Sequence, residues 1–94
     1  MAKPRIGLYS AGLKAYWGQF AGLRARLDGY NAFIAQKLSA YGEVFNFGMV
    51  DDPESARRAG EYFNARSVDI VFLHSATYFT SSCVLPVHQV CASP

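Results

Sequence analysis

The sequence predicts an α/β domain built on a small parallel sheet, and three observations carry that prediction. First, three short apolar segments, Arg5–Ser10, Glu43–Phe47 and the run that opens at Val68, are separated by two stretches of helical character. Strands that alternate with helices form parallel sheets joined by right-handed crossovers. Second, Ile70, Val71, Phe72 and Leu73 follow one another with no polar residue between them. That is the pattern of a strand covered on both faces, as at the centre of a parallel sheet. Third, Asp51-Asp52-Pro53-Glu54 marks a helix start between the second and third segments.

Taken in order, Arg5–Ser10 starts right after Pro4, which could not donate to a ladder, and reads as strand one. Ala11–Gly18 is the loop that follows, and it contains Lys14, Tyr16 and Trp17. From about Trp17 to Tyr41 the residues Phe20, Leu23, Leu27, Tyr30, Ile34, Leu38 and Tyr41 recur at steps of three or four. This is an apolar helix stripe facing a sheet, with Arg24, Arg26, Asp28, Gln36 and Lys37 mostly between its members. Gly22 and Gly29 each cost roughly 1 kcal/mol against Ala in a helix interior, which points either to tight packing or to a small break near Gly29. Gly42 is placed as the C-cap. Strand two is Glu43–Phe47, and Gly48-Met49-Val50 leads out of it. Asp52 caps the next helix, Pro53 takes its first position and Glu54 favours the positive end of its dipole. That helix runs to about Arg66 and buries Ala56, Ala59 or Gly60, and Phe63. Strand three follows at Asp69, and a last helix begins near Ser81 or Ser82.

The expected architecture is a three-layer, Rossmann-like or flavodoxin-like β-α-β-α-β(-α) unit with strand order 2-1-3. Strands one and three then lie side by side and deliver their outgoing loops to one rim. In open parallel sheets ligands bind in the crevice beyond the carboxyl ends of the strands. The rim is where chemistry is expected.

Composition narrows the function classes. The chain has 94 residues, one small domain, with 51% hydrophobic and 15% aromatic residues, enough for a core. A domain this short hides only roughly 60–65% of its unfolded surface. The net charge of +2, with no basic run, argues against nucleic acid. Apolar runs fall far short of the ~20 residues of a membrane span, and the start has no signal-peptide core, so a cytoplasmic protein is expected. Cys83 and Cys91 are then reduced thiols, and with His74 and His88 they match no zinc spacing. Gly7, Gly12, Gly18 and Gly22 fit neither of the usual glycine-rich phosphate loops. A phosphoacceptor receiver needs an Asp where this chain has His74. The chain stops shortly after its last helix begins, so an N-terminal piece of a longer protein is expected.

Several rim residues have two readings. His74 is a base, a ligand or a donor to a sugar hydroxyl, or else a histidine satisfied by backbone groups at a strand end. Thr77, Tyr78, Thr80, Ser81 and Ser82 offer hydroxyls, and Tyr78 and Phe79 offer ring faces. Polyols need that mixture, but a loop capping the next helix uses it as well. Trp17, beside Tyr16, is either a stacking platform or a staple for the first helix. Lys14 is a contact for an anion or hydroxyl, or simply solvated. The carboxylates Glu43, Asp51, Asp52, Glu54 and Glu61 fall on the strand-two side or an outer helix, and no pair converges on His74. No catalytic residue and no metal site is assigned, and the chain alone is expected to be inactive.

Arg5-Ile-Gly-Leu-Tyr-Ser10, Tyr16-Trp17-Gly18, Gly29-Tyr30, Asp51-Asp52-Pro53-Glu54-Ser55-Ala56 and Asp69-Ile-Val-Phe-Leu-His-Ser-Ala-Thr-Tyr78 together resemble the N-terminal domain of the L-fucose/L-arabinose isomerase family. The similarity spans nearly the whole chain. It implies a Rossmann-like domain that helps close the sugar pocket of an aldose–ketose isomerase, often that of a neighbouring subunit in a homo-oligomer. It also implies Mn2+, held by two carboxylates and a histidine in later domains. Its substrate contacts would fall near Lys14, Tyr16 and Trp17 after strand one, and near Thr77 and Tyr78 after strand three, in the segment that also holds His74. The alternative is a free-standing flavodoxin-like domain that binds a small ligand or a partner.

Overall fold

The computed structural model describes residues 3–77 and 81–91, in the last segment without the side chains of residues 81–83. Its elements are β1 (Arg5–Ala11), α1 (Ala15–Gln19), α2 (Leu23–Leu38), β2 (Glu43–Val50), α3 (Pro53–Ala65), β3 (Ile70–Ser75) and α4 (Ser81–Val90). The three strands are parallel, in the order β2-β1-β3, as in flavodoxin-like folds.

Strand β1 is the axis of the molecule. Successive side chains of a strand point to opposite faces, and here the two faces meet different helices. Ser10 reaches Asn31 of α2, while Tyr9 packs on Phe63 of α3 with ring centroids 6.1 Å apart. The main core lies on the second face and joins Tyr9, Ala11, Val50, Ala56, Ala59, Phe63, Val68, Val87 and Cys91. The hydroxyl of Tyr9 and Nε2 of His88 are 2.8 Å apart, which ties α4 to the central strand. Burial pushes the Tyr9 phenol up to about 12.

The unalternating run at Ile70 does not mark the central strand. It forms β3, an edge strand among the described residues, with Ile70, Phe72 and Leu73 still 39%, 41% and 40% exposed. Helix α2 lies over β1 and β2 and leaves the near face of β3 uncovered. For the same reason the predicted stripe of α2 is only partly used. Of its members Leu27 is buried, beside the polar Asn31 that the stripe did not include, while Phe20, Tyr30 and Tyr41 are exposed. The helical break also falls elsewhere. Gly22 adopts φ +79° and separates α1 from α2, whereas Gly29 is helical throughout. Gly42 is not the cap. Ser39 ends α2, and Gly42 is buried against Pro4 and Ile6.

The helix start at Asp52 is as the sequence reads. Ser55 donates its backbone N–H to Asp52 Oδ1 at 2.7 Å, and Ser55 Oγ in turn accepts the Asp52 N–H at 3.2 Å. The bond from Ser55, followed by that from Lys14, holds the Asp52 carboxyl down at about 2, against an ordinary value of 3.8. The lowered value stabilises the fold above the unfolded pKa near 3.8, and the gain is lost as pH falls through about 2. With the Asp52 side chain 30% exposed, solvent screening leaves on the order of 1 kcal/mol of that gain. Asp52→Ala is therefore expected to cost ~1–1.5 kcal/mol in urea unfolding at neutral pH. The gap to wild type should narrow as pH falls through about 2; an undiminished gap there would contradict the assignment.

Candidate functional site

The candidate site is the rim at the carboxyl ends of the three strands. The last carbonyl of β1, on Ala11, accepts N–H bonds from Ala76 and Thr77 at 3.0 and 3.3 Å, so the chain leaving β3 folds back over β1. Leu13 then donates its N–H to Thr77 Oγ1 at 3.0 Å. The two outgoing loops are thereby joined. Beside this junction is an open concavity of about 710 Å3, lined by Tyr16, Gln19, Phe20, Ala21, Leu23, Arg26 and Thr77. Its size falls within the range of small-molecule sites. The positive φ of Gly22 turns the chain so that Phe20 and Ala21 form one wall. Tyr16 and Phe20 meet edge to face, with centroids 5.7 Å apart.

The loop after β1 divides its side chains between two directions, because consecutive helical residues point about 100° apart. Tyr16 faces the concavity, but Trp17 turns toward β2. The indole N–H of Trp17 donates to Asp51 Oδ2 at 2.9 Å, and the Arg24 guanidinium stands 5.6 Å from the ring centroid. The same ring lies against Gly12, where a Cβ would come within 2.9 Å of it. Trp17 is thus a staple, and its ring is not a free stacking platform. Lys14 is solvent-exposed, as a lone lysine usually is, and its Nζ also donates to Asp52 Oδ2 at 2.9 Å. That bond raises the Lys14 pKa.

His74 is satisfied by a side chain, where backbone groups were the simplest expectation. Its Nδ1 is 3.0 Å from Ser10 Oγ on the neighbouring strand. Ser10 is fully buried and also accepts from Asn31 Nδ2 at 2.8 Å, and Asn31 in turn accepts from Asn46. A row of polar groups therefore crosses the sheet from β2 to β3 beneath α2. A second concavity, of about 780 Å3, opens on the β2 side of this row; Arg24, Asp28, Asn46, Asp51 and Arg58 are among its lining residues.

Of the six residues singled out in the sequence, Tyr16 and Thr77 come together at the concavity. Lys14 and Trp17 are engaged on the β2 side, His74 lies one face down on β3, and Tyr78 lies outside the described residues. Sequence reasoning missed Asp51 and Asp52 as rim residues. The signal was available: a strand parallel to strand one and next to it must release its chain at the same rim. It also missed Ser10, Asn31 and Asn46, three polar residues within otherwise apolar periodicity. Among the described residues no three His, Cys, Asp or Glu side chains are grouped to hold a metal ion; the Mn2+ ligands that the resemblance implies belong to later domains. Cys91 is a buried free thiol, and no described helix is long and apolar enough to cross a membrane.

Fold and rim together define an open parallel α/β domain with a crevice at the strand ends. No protein-family model, curated protein or solved structure matches the chain.

Proposed function

We propose that the rim takes a small polyhydroxylated ligand, and that the chain serves in the cytoplasm as the substrate-lining N-terminal domain of an aldose–ketose isomerase of the L-fucose/L-arabinose type. The observation that carries this reading is the junction of Leu13 with Thr77 beside a concavity of mixed character. The Thr77 hydroxyl, the Gln19 amide and the Arg26 guanidinium are partners for ligand hydroxyls. Tyr16 and Phe20 offer rings for the C–H face of a sugar. In this reading Mn2+ and the proton-transferring carboxylates come from outside the described residues, from further domains or neighbouring subunits. The described residues bind and orient the sugar and carry no chemical step.

The test is titration of the chain with L-fucose and L-arabinose, followed by calorimetry or amide shifts. A sugar of about ten non-hydrogen atoms at ~0.3 kcal/mol per atom gives about −3 kcal/mol, a Kd of several millimolar. Tyr16→Ala and Arg26→Ala should each weaken binding by roughly tenfold, about 1.4 kcal/mol. Lys14→Ala, on a side chain already paired with Asp52, should change it less than twofold. No saturable shift with either sugar, or equal losses in all three variants, would end this reading.

A further inference from the structure

The polar row beneath α2 has a direction, and a backbone group sets it. The Gly48 N–H can only donate, and it lies 3.0 Å from the Asn46 side chain, which must therefore turn its oxygen toward Gly48. The nitrogen of that amide then faces Asn31 and donates to its Oδ1. Asn31 is left with its own nitrogen toward Ser10 Oγ, at 2.8 Å. Ser10 is fully buried, so its hydroxyl proton needs an acceptor. His74 Nδ1, at 3.0 Å, is that acceptor. A nitrogen that accepts holds no proton, so the ring proton of neutral His74 sits on Nε2. Among the described residues Nε2 has no hydrogen-bond partner, and it is not a buried unsatisfied atom, so it reaches solvent.

We infer that His74 is a preset hydrogen-bond donor: the Gly48 N–H, relayed through Asn46, Asn31 and Ser10, fixes it as the Nε2–H tautomer, ready for an acceptor oxygen of a ligand. The acceptor is a hydroxyl, carbonyl or carboxylate oxygen. This assigns His74 a role distinct from general base or metal ligand, both of which need a lone pair on the accessible nitrogen. Ser10, Asn31 and Asn46 are positioning residues that act through it. The inference goes beyond the sugar reading and does not need it, because the tautomer exists without ligand.

The row also makes a sharp prediction. Asn46→Asp keeps the shape of an exposed side chain but leaves it with acceptors only. The Gly48 N–H is still satisfied, yet Asn31 must now turn its NH2 toward the new carboxylate. Its oxygen then faces Ser10, the Ser10 proton swings to Asn31, and Ser10 Oγ can accept only from Nδ1–H of His74. One substitution on β2 thus moves the proton of a ring two strands away. The experiment is long-range 1H–15N correlation of the histidine rings at about pH 8, where an ordinary imidazole is neutral. It uses the whole chain and no sugar. Wild type should show the Nε2–H pattern for His74, and Asn46→Asp the Nδ1–H pattern, while the His88 pattern stays as in wild type. Ser10→Ala, which removes the donor, should give a mixture and serves if Asn46→Asp does not fold. An Nδ1–H pattern in the wild type, or Nε2–H retained unchanged in the variants, overturns the inference. A failed sugar titration with the expected tautomers would reject only the rim reading.

Discussion

Phe63→Ala is expected to remove about 3–5 kcal/mol of folding stability, a large share of the roughly 5–15 kcal/mol that a domain possesses. The Phe63 ring is fully buried within the main core. It meets Tyr9 of β1 at 6.1 Å and Tyr62 at 5.5 Å between centroids. It also fills the space above Gly7, where a Cβ would stand 2.9 Å from Phe63 Cδ1. Truncation leaves a cavity under the central strand that rigid neighbours cannot close. The same contact gives a second, independent reading of the site. Gly7→Ala in the wild type forces the ring to move and should cost ~1–3 kcal/mol. In the Phe63→Ala background the ring is gone, and the same change should be nearly neutral or stabilising. Urea unfolding of the four proteins measures that coupling. A loss below ~1 kcal/mol for Phe63→Ala, or strict additivity of the pair, would show that the ring does not sit where the core has been drawn.

Phe63 was legible in the sequence because α3 announces itself. Its start is fixed by a cap and a proline, and its buried positions then follow from helical spacing. The order of the strands was legible for a related reason, since alternation of elements leaves few topologies for a parallel sheet. What was not legible was coverage. An apolar run such as Ile70–Leu73 reports that a strand is compatible with burial on both faces, and cannot report whether a helix lies over it. Here α2 covers β1 and β2 and leaves Ile70 and Phe72 more than a third exposed, and Leu73, on the opposite face, is as exposed as they are. The rim was located correctly, since strand ends follow from topology, but its side chains were not. Tyr16 and Trp17 are neighbours in sequence and face different ways. Asp51, which holds the Trp17 indole, is 34 residues away from it, and Thr77, which shares the concavity with Tyr16, is tied to Leu13 across 64 residues. The polar row was hidden most deeply. Ser10, Asn31, Asn46 and His74 are unremarkable singly, and only the register of β1 against β2 and β3, with α2 docked over them, aligns them.

Gly42→Ala should be nearly as damaging, and for a reason opposite to that of a helix cap. A capping glycine is chosen for positive φ, and Ala there costs mainly backbone strain. Gly42 is not among the residues of positive φ. Its constraint is room: a Cβ would collide with the Pro4 carbonyl oxygen and lie 3.0 Å from Ile6 Cδ1. The obstructing atom is backbone, so no rotamer change relieves it. That same carbonyl accepts the Glu43 N–H at 2.9 Å, where the chain segments before β1 and β2 first meet. Moving it apart sacrifices this bond, worth about 1 kcal/mol, on top of ~1–3 kcal/mol of overpacking. A loss of ~2–4 kcal/mol is expected. Gly29→Ala supplies the contrast. Gly29 lies inside α2 with nothing within 4 Å of an added Cβ, so the substitution should stabilise by ~0.5–1 kcal/mol through helix propensity alone. Thermal unfolding of the two variants should move in opposite directions, by roughly 4–8 °C per kcal/mol for a domain of this size. If Gly42→Ala were neutral, the approach of the Pro4 and Gly42 backbones that sets the first rung between β1 and β2 would not exist.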